Sequence, residues 1–78
     1  MSVVNTEHLY IEKDLNKYEG KAVIKSTRIP VAGLVNHYRS GMSIDEILEG
    51  YPNITPSQLF DAISYYFDNK EELDKELE

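Results

Sequence analysis

The sequence predicts a mainly α-helical domain: three short helices with helix-turn-helix spacing, a short N-terminal β element before them and an acidic helical extension after them. Three observations carry this prediction. From Pro30 onward, apolar residues recur at i, i+3, i+4 and i+7, the one-face spacing of a helix. Three helix-start signals follow one another at short intervals, the first two with stop signals behind them. Before Pro30 the apolar residues fall instead into two short runs, a strand-like pattern.

The elements follow in order. Met1 to Thr6 shows no pattern and is expected to fray. The β element is expected over residues 7–26. Within it, His8-Leu9-Tyr10-Ile11 and Ala22-Val23-Ile24-Lys25 are β-leaning runs around a polar stretch with Asp14, Asn16 and Gly20 as turn formers. Such runs pair as a hairpin, and an isolated hairpin is barely stable, so this one must lean on the helices. The three helices are expected over residues 30–67. Pro30 suits a first helical turn, Val31, Leu34, Val35 and Tyr38 share a face, and Gly41 stands where a left-handed cap is wanted. Ser43 and Glu46 form a capping box for the second helix, whose apolar face is Ile44, Ile47, Leu48 and Tyr51 and which Gly50 and Pro52 end. Thr55-Pro56-Ser57-Gln58 starts the third, with Leu59, Ile63 and Tyr66 on its inner face and Ala62 and Phe67 beside them. Residues 69–78 form an acidic tail carrying Leu73 and Leu77. Either one helix runs through to Leu77, or Asn69 separates a final one.

Composition narrows the function. The chain has 78 residues, so its own core is small and leaves apolar surface for a second copy or a partner. There is no cysteine, which excludes disulfides and thiolate metal sites and fits a reducing cytoplasmic setting. No apolar run reaches the ~20 residues of a membrane span, and the first dozen residues lack a signal-peptide layout. The net charge of −6 is unevenly spread. Met1 to Gly41 has six basic and four acidic residues, or +2, whereas Met42 to Glu78 has two basic and ten acidic, or −8. Polyanion binding depends on Lys and Arg, so any nucleic-acid role must use the N-terminal half or a dimer that concentrates it. The acidic half suits a basic protein, or simply keeps the chain soluble.

One stretch is more specific than any periodicity. Gly20-Lys21-Ala22-Val23-Ile24-Lys25-Ser26-Thr27-Arg28-Ile29-Pro30-Val31, followed by Gly41-Met42-Ser43-Ile44-Asp45-Glu46-Ile47-Leu48 and Tyr51-Pro52, closely resembles the prokaryotic family known as domain of unknown function 433. The resemblance runs from about Leu9 to Tyr66. Ala22 stands where that family usually has proline, and Ser26 where it usually has glycine. The resemblance implies a homeodomain-like helix-turn-helix. It also implies the antitoxin half of a type II toxin–antitoxin pair, similar to VapB-type proteins, which binds operator DNA and a PIN-like ribonuclease toxin. The competing reading is a protein-interaction module that keeps the helix-turn-helix as a scaffold and binds no DNA.

Individual residues divide between these readings. Arg28 either contacts phosphate or a partner, or pairs with an acidic residue of the second helix. Lys21, Lys25 and Arg28 are the better candidates for touching a DNA backbone. If the third helix reads bases, its outward residues are Ser57, Gln58, Asp61, Ser64 and Tyr65, with Gln58 suited to adenine and Ser57 to phosphate. That helix has no Lys or Arg, and Asp61 and Asp68 repel phosphate. Gln58 also has a plain role in capping. Tyr65 or Phe67 is expected to stay exposed as a partner or homodimer surface, unless both tuck under the β element. Leu73 and Leu77 either seal such a contact or belong to a fraying end. His8 and His37 lie in separate elements without metal-ligand spacing, so no metal or cofactor is expected. Asp45, Glu46 and Glu49 cluster, but the first two favour the dipole of their helix. No nucleophile, base and orienting group can be assembled, so no catalysis is expected.

Overall fold

The computed structural model describes residues 3–77, with side chains from Thr6 onward. Three strands, β1 (Val3–Asn5), β2 (Ile11–Asp14) and β3 (Ala22–Ile24), precede four helices. These are α1 (Val31–Arg39), α2 (Ile44–Gly50), α3 (Pro56–Asp68) and α4 (Lys70–Leu77). The sheet is antiparallel in the order β1-β2-β3, and Ile11 pairs with Ile24.

The β element differs from expectation in three ways. Val3–Asn5 forms an edge strand where fraying was expected, while Met1 and Ser2 lie outside the described residues. The first expected strand is displaced: His8 to Tyr10 form a turn, and β2 takes up Glu12, Lys13 and Asp14. The displacement has a physical cause. α3 engages the His8 ring and the Tyr10 amide, so this run crosses toward the helix before it can pair. Third, the connection to β3 contains a tight turn in which Tyr18, Glu19 and Gly20 all have positive φ, at 55°, 56° and 74°. Only glycine adopts that conformation without strain.

The helices obey their start signals. Ser43 and Thr55 each close a capping box, with Glu46 and Gln58 respectively, and Pro56 is the first residue of α3. Gly41, at φ 98°, ends α1, with the Met42 amide donating back to the His37 carbonyl at 3.2 Å. Asn69 separates the last two helices, its backbone at φ −135° and its side-chain amide donating to the Tyr65 carbonyl at 3.0 Å. Ser26 adopts φ 64°, the left-handed conformation that glycine takes most readily, and its amide donates to Glu12 at 2.8 Å.

The core draws one fully buried large side chain from each of six elements: Ile11, Ile24, Leu34, Ile47, Leu59 and Leu73. Each such burial stabilises by roughly 1.5–3 kcal/mol. The tail is thus no loose appendage. Leu73 is completely buried, Leu77 packs partly against the core, and α4 lies across α1. Lys13 of β2 meets Glu72 of α4 at 2.6 Å, and the Tyr66 hydroxyl donates to Asp74 at 2.9 Å.

Candidate functional site

Helix α3 has two unlike flanks. Toward the sheet and α4 it is closed. Asp61 accepts from the Tyr10 amide at 2.8 Å and lies 2.8 Å from Nδ1 of His8, whose Nε2 lies 2.8 Å from Asp68. With a carboxylate on each ring nitrogen, only the doubly protonated imidazolium donates to both. Burial alone lowers the His8 pKa, but the hydrogen bonds and charges of Asp61 and Asp68 outweigh it and raise it above 6.5. Tyr65 completes this side, with its ring edge-on to His8 at 5.4 Å and its hydroxyl donating to Glu72 at 3.1 Å. Tyr65 is 3% exposed and Leu73 is fully buried, so neither of these expected partner contacts is available to a partner. Tyr65 points inward because the sheet covers a second flank of α3 that helical spacing alone leaves open.

The other flank is bare. Phe60, Ser64 and Phe67 stand at i, i+4 and i+7 and so share one face, and the two phenylalanines are 55% and 54% exposed. Tyr38 of α1, 39% exposed, extends the stripe by meeting Phe67 edge-on at 6.5 Å between ring centroids. The Lys70 ammonium lies 5.9 Å from the centre of the Phe67 ring. Phe67 was anticipated from the sequence. Phe60 was not, although its seven-residue spacing from Phe67 was a usable signal.

The expected DNA contacts are scattered. Lys21 and Lys25 flank β3, and Arg28 follows in the turn before α1. Lys21 lies 3.6 Å from Glu19, while Lys25 and Arg28 make no ion pair among the described residues. The alternative of an Arg28 pair with the second helix is therefore not realised. Ser57 is exposed, and the Gln58 side chain accepts from the Thr55 amide at 2.7 Å, which commits it to the cap. On α2, Asp45 and Glu49 are exposed, and the Ser43 backbone, through its amide, holds the Glu46 carboxyl below its usual range. Among the described residues, no group of three or more His, Cys, Asp or Glu is placed to hold a metal ion, and no helix is long and apolar enough to cross a membrane.

None of the curated proteins matches the chain. A crystal structure of a DUF433 member protein from Anabaena variabilis ATCC 29413 has the same fold, with a TM-score of 0.81 and 37% sequence identity over 86% of this chain. The present chain spans 66% of that protein, just under two thirds of its length. Residues 11–66, from β2 almost to the end of α3, match the family described as "Protein of unknown function (DUF433)". Sequence motif, family match and backbone agree, and the chain belongs to the DUF433 family.

Proposed function

We propose that the protein is an interaction module of the antitoxin kind, one half of a type II toxin–antitoxin pair, whose bare α3 flank docks onto a basic PIN-like ribonuclease. The observation that carries this reading is the stripe of Phe60, Phe67 and Tyr38, three large rings left in water on one face. Exposed aromatics that cluster contribute most of the energy of protein interfaces. The charge supports a basic partner: the half of the chain from Met42 onward carries −8 and supplies α2, α3 and α4. The antitoxin role itself rests on the resemblance of the Thr27-Arg28-Ile29-Pro30 region to its family. Docking there would bury the stripe and set acidic helices against the surface on which the nuclease receives RNA. A dimer through the same stripe would compete with that docking.

The test is a binding titration between this protein and a PIN-like nuclease encoded beside its gene. Wild type is expected to bind and to inhibit RNA cleavage, and the double variant Phe60→Ser with Phe67→Ser is expected to lose both. Undiminished inhibition by that variant would move the docking face elsewhere.

Operator binding is a second reading, favoured by Lys25 and Arg28, which make no ion pair among the described residues. The phosphate contacts would come from Lys21, Lys25 and Arg28, since α3 offers a capped Gln58, an exposed Ser57 and no cation. A gel shift on the upstream region should weaken steeply as salt rises. Absence of any shift at low salt, with or without the nuclease, would leave the module without a DNA role.

A further inference from the structure

A cleft of about 320 Å³ opens where the strained turn Tyr18–Gly20, the loop bearing Arg28, the start of α1 and the end of α4 converge. Val23, Pro30 and Ala32 give it an apolar lining, and Tyr18 adds a half-exposed ring. Its four charged residues are Glu19, Lys21, Arg28 and Glu76, and their formal charges cancel. Glu19 and Lys21 meet each other at 3.6 Å. The remaining two are uncommitted. Arg28 makes no ion pair or side-chain hydrogen bond among the described residues, and Oε1 of Glu76 is buried without a hydrogen-bond partner.

A buried acceptor without a donor is costly, and a native structure that keeps one invites an explanation. Burial, and then the charge of Glu72, hold the Glu76 carboxyl above its usual range, outweighing the opposing pull of the Lys21 and Lys13 ammonium groups. The wall opposite is also unusual. Tyr18 and Glu19 are consecutive non-glycine residues at φ 55° and 56°. Strain of this kind persists where the surroundings over-determine it and concentrates at ligand clamps.

We propose that this cleft binds a small zwitterion, its ammonium group donating to Glu76 and its oxyanion held by the Arg28 guanidinium. The two free groups have opposite sign, so a ligand of either sign alone would satisfy one of them and repel the other. Guanidinium forks onto carboxylate and phosphate in the same planar geometry, so the anionic half is either the carboxylate of an α-amino acid or the phosphate of an aminoalkyl phosphate. The apolar lining leaves room for a short side chain. The site involves none of the exposed rings of α3, and it stands or falls independently of the docking reading.

The experiment is a series of amide NMR titrations of the folded, full-length chain with L-leucine, L-glutamine and O-phosphoethanolamine, with acetate and methylammonium as single-charge controls. Saturable shifts at Val23, Arg28, Ala32 and Glu76 are expected with at least one zwitterion and with neither control. Preference for the amino acids or for the phosphate identifies the anionic half. Arg28→Gln and Glu76→Gln are each expected to weaken binding about tenfold or more, the scale of one lost charge-assisted hydrogen bond. Arg28 is exposed, so Arg28→Gln decides the matter even if the Glu76 variant fails to fold. No saturable shift with any zwitterion, equal binding of the controls, or full affinity in Arg28→Gln would each overturn the proposal.

Discussion

The two flanks of α3 are built from the same helix and treated oppositely. On the closed flank, Asp61 and Asp68 are engaged by His8 and Tyr10, residues far away in the chain, and Tyr65 by Glu72 of the next helix. On the open flank, Phe60, Ser64 and Phe67 meet mostly water. The closed side spends polar groups on holding the sheet and α4 in place. The open side keeps apolar area that folding alone has no use for. A helix read only by its apolar spacing shows neither assignment, because what covers each flank comes from elsewhere in the chain.

The contrast can be broken most severely through α4. Leu73→Ala empties a fully buried position and is expected to cost about 2–5 kcal/mol, measured by chemical denaturation. Removal of residues 69–78 is likewise expected to unfold the chain rather than trim an accessory. A folded, cooperative Leu73→Ala protein of wild-type stability would return α4 to the status of a tail.

The polar clamp comes next. Asp61→Ala leaves the Tyr10 amide and Nδ1 of His8 without their acceptor, with an expected loss of about 1–3 kcal/mol in the same measurement. The clamp also predicts a pH dependence. The folded pKa of His8 is raised above 6.5, so its contribution is complete below the unfolded value and disappears as pH rises through the folded one. Thermal unfolding temperatures should therefore fall as pH is raised from 6.5 upward, and His8→Gln should flatten that slope. An unchanged slope in the variant would mean that other groups carry the effect.

The smallest stability effect sharpens the contrast from the other side. Phe60→Ser with Phe67→Ser removes exposed rings, so stability should move by no more than about 0.5 kcal/mol while partner binding is lost. A large destabilisation would show that these rings serve the fold.

Legibility in the sequence followed the range of the interactions. Both capping boxes, Pro56 and Gly41 act within four residues, and each was readable. The three helices followed from them. Strand β2 is hard to place from sequence because Glu12, Lys13 and Asp14 are polar and carry little strand signal, and because α3 captures the residues before them. The clamp of His8 with Asp61 and Asp68 joins residues 53 and 60 positions apart, beyond any local pattern. Leu73 was visible as part of an apolar stripe. Its burial depended on α4 folding back over α1, which the stripe does not specify. The cleft of Arg28 and Glu76 gathers residues from both ends of the chain, so no motif announces it.

The span of the His8 clamp also bears on how fast the molecule assembles. Contacts between residues 60 apart form only after a long loop has closed, whereas α1, α2 and α3 are joined by short connections. The helices are therefore expected to gather first and the sheet to dock afterwards. Substitutions at His8 should then accelerate unfolding and leave the refolding rate almost untouched, because their contacts arise after the barrier has been crossed.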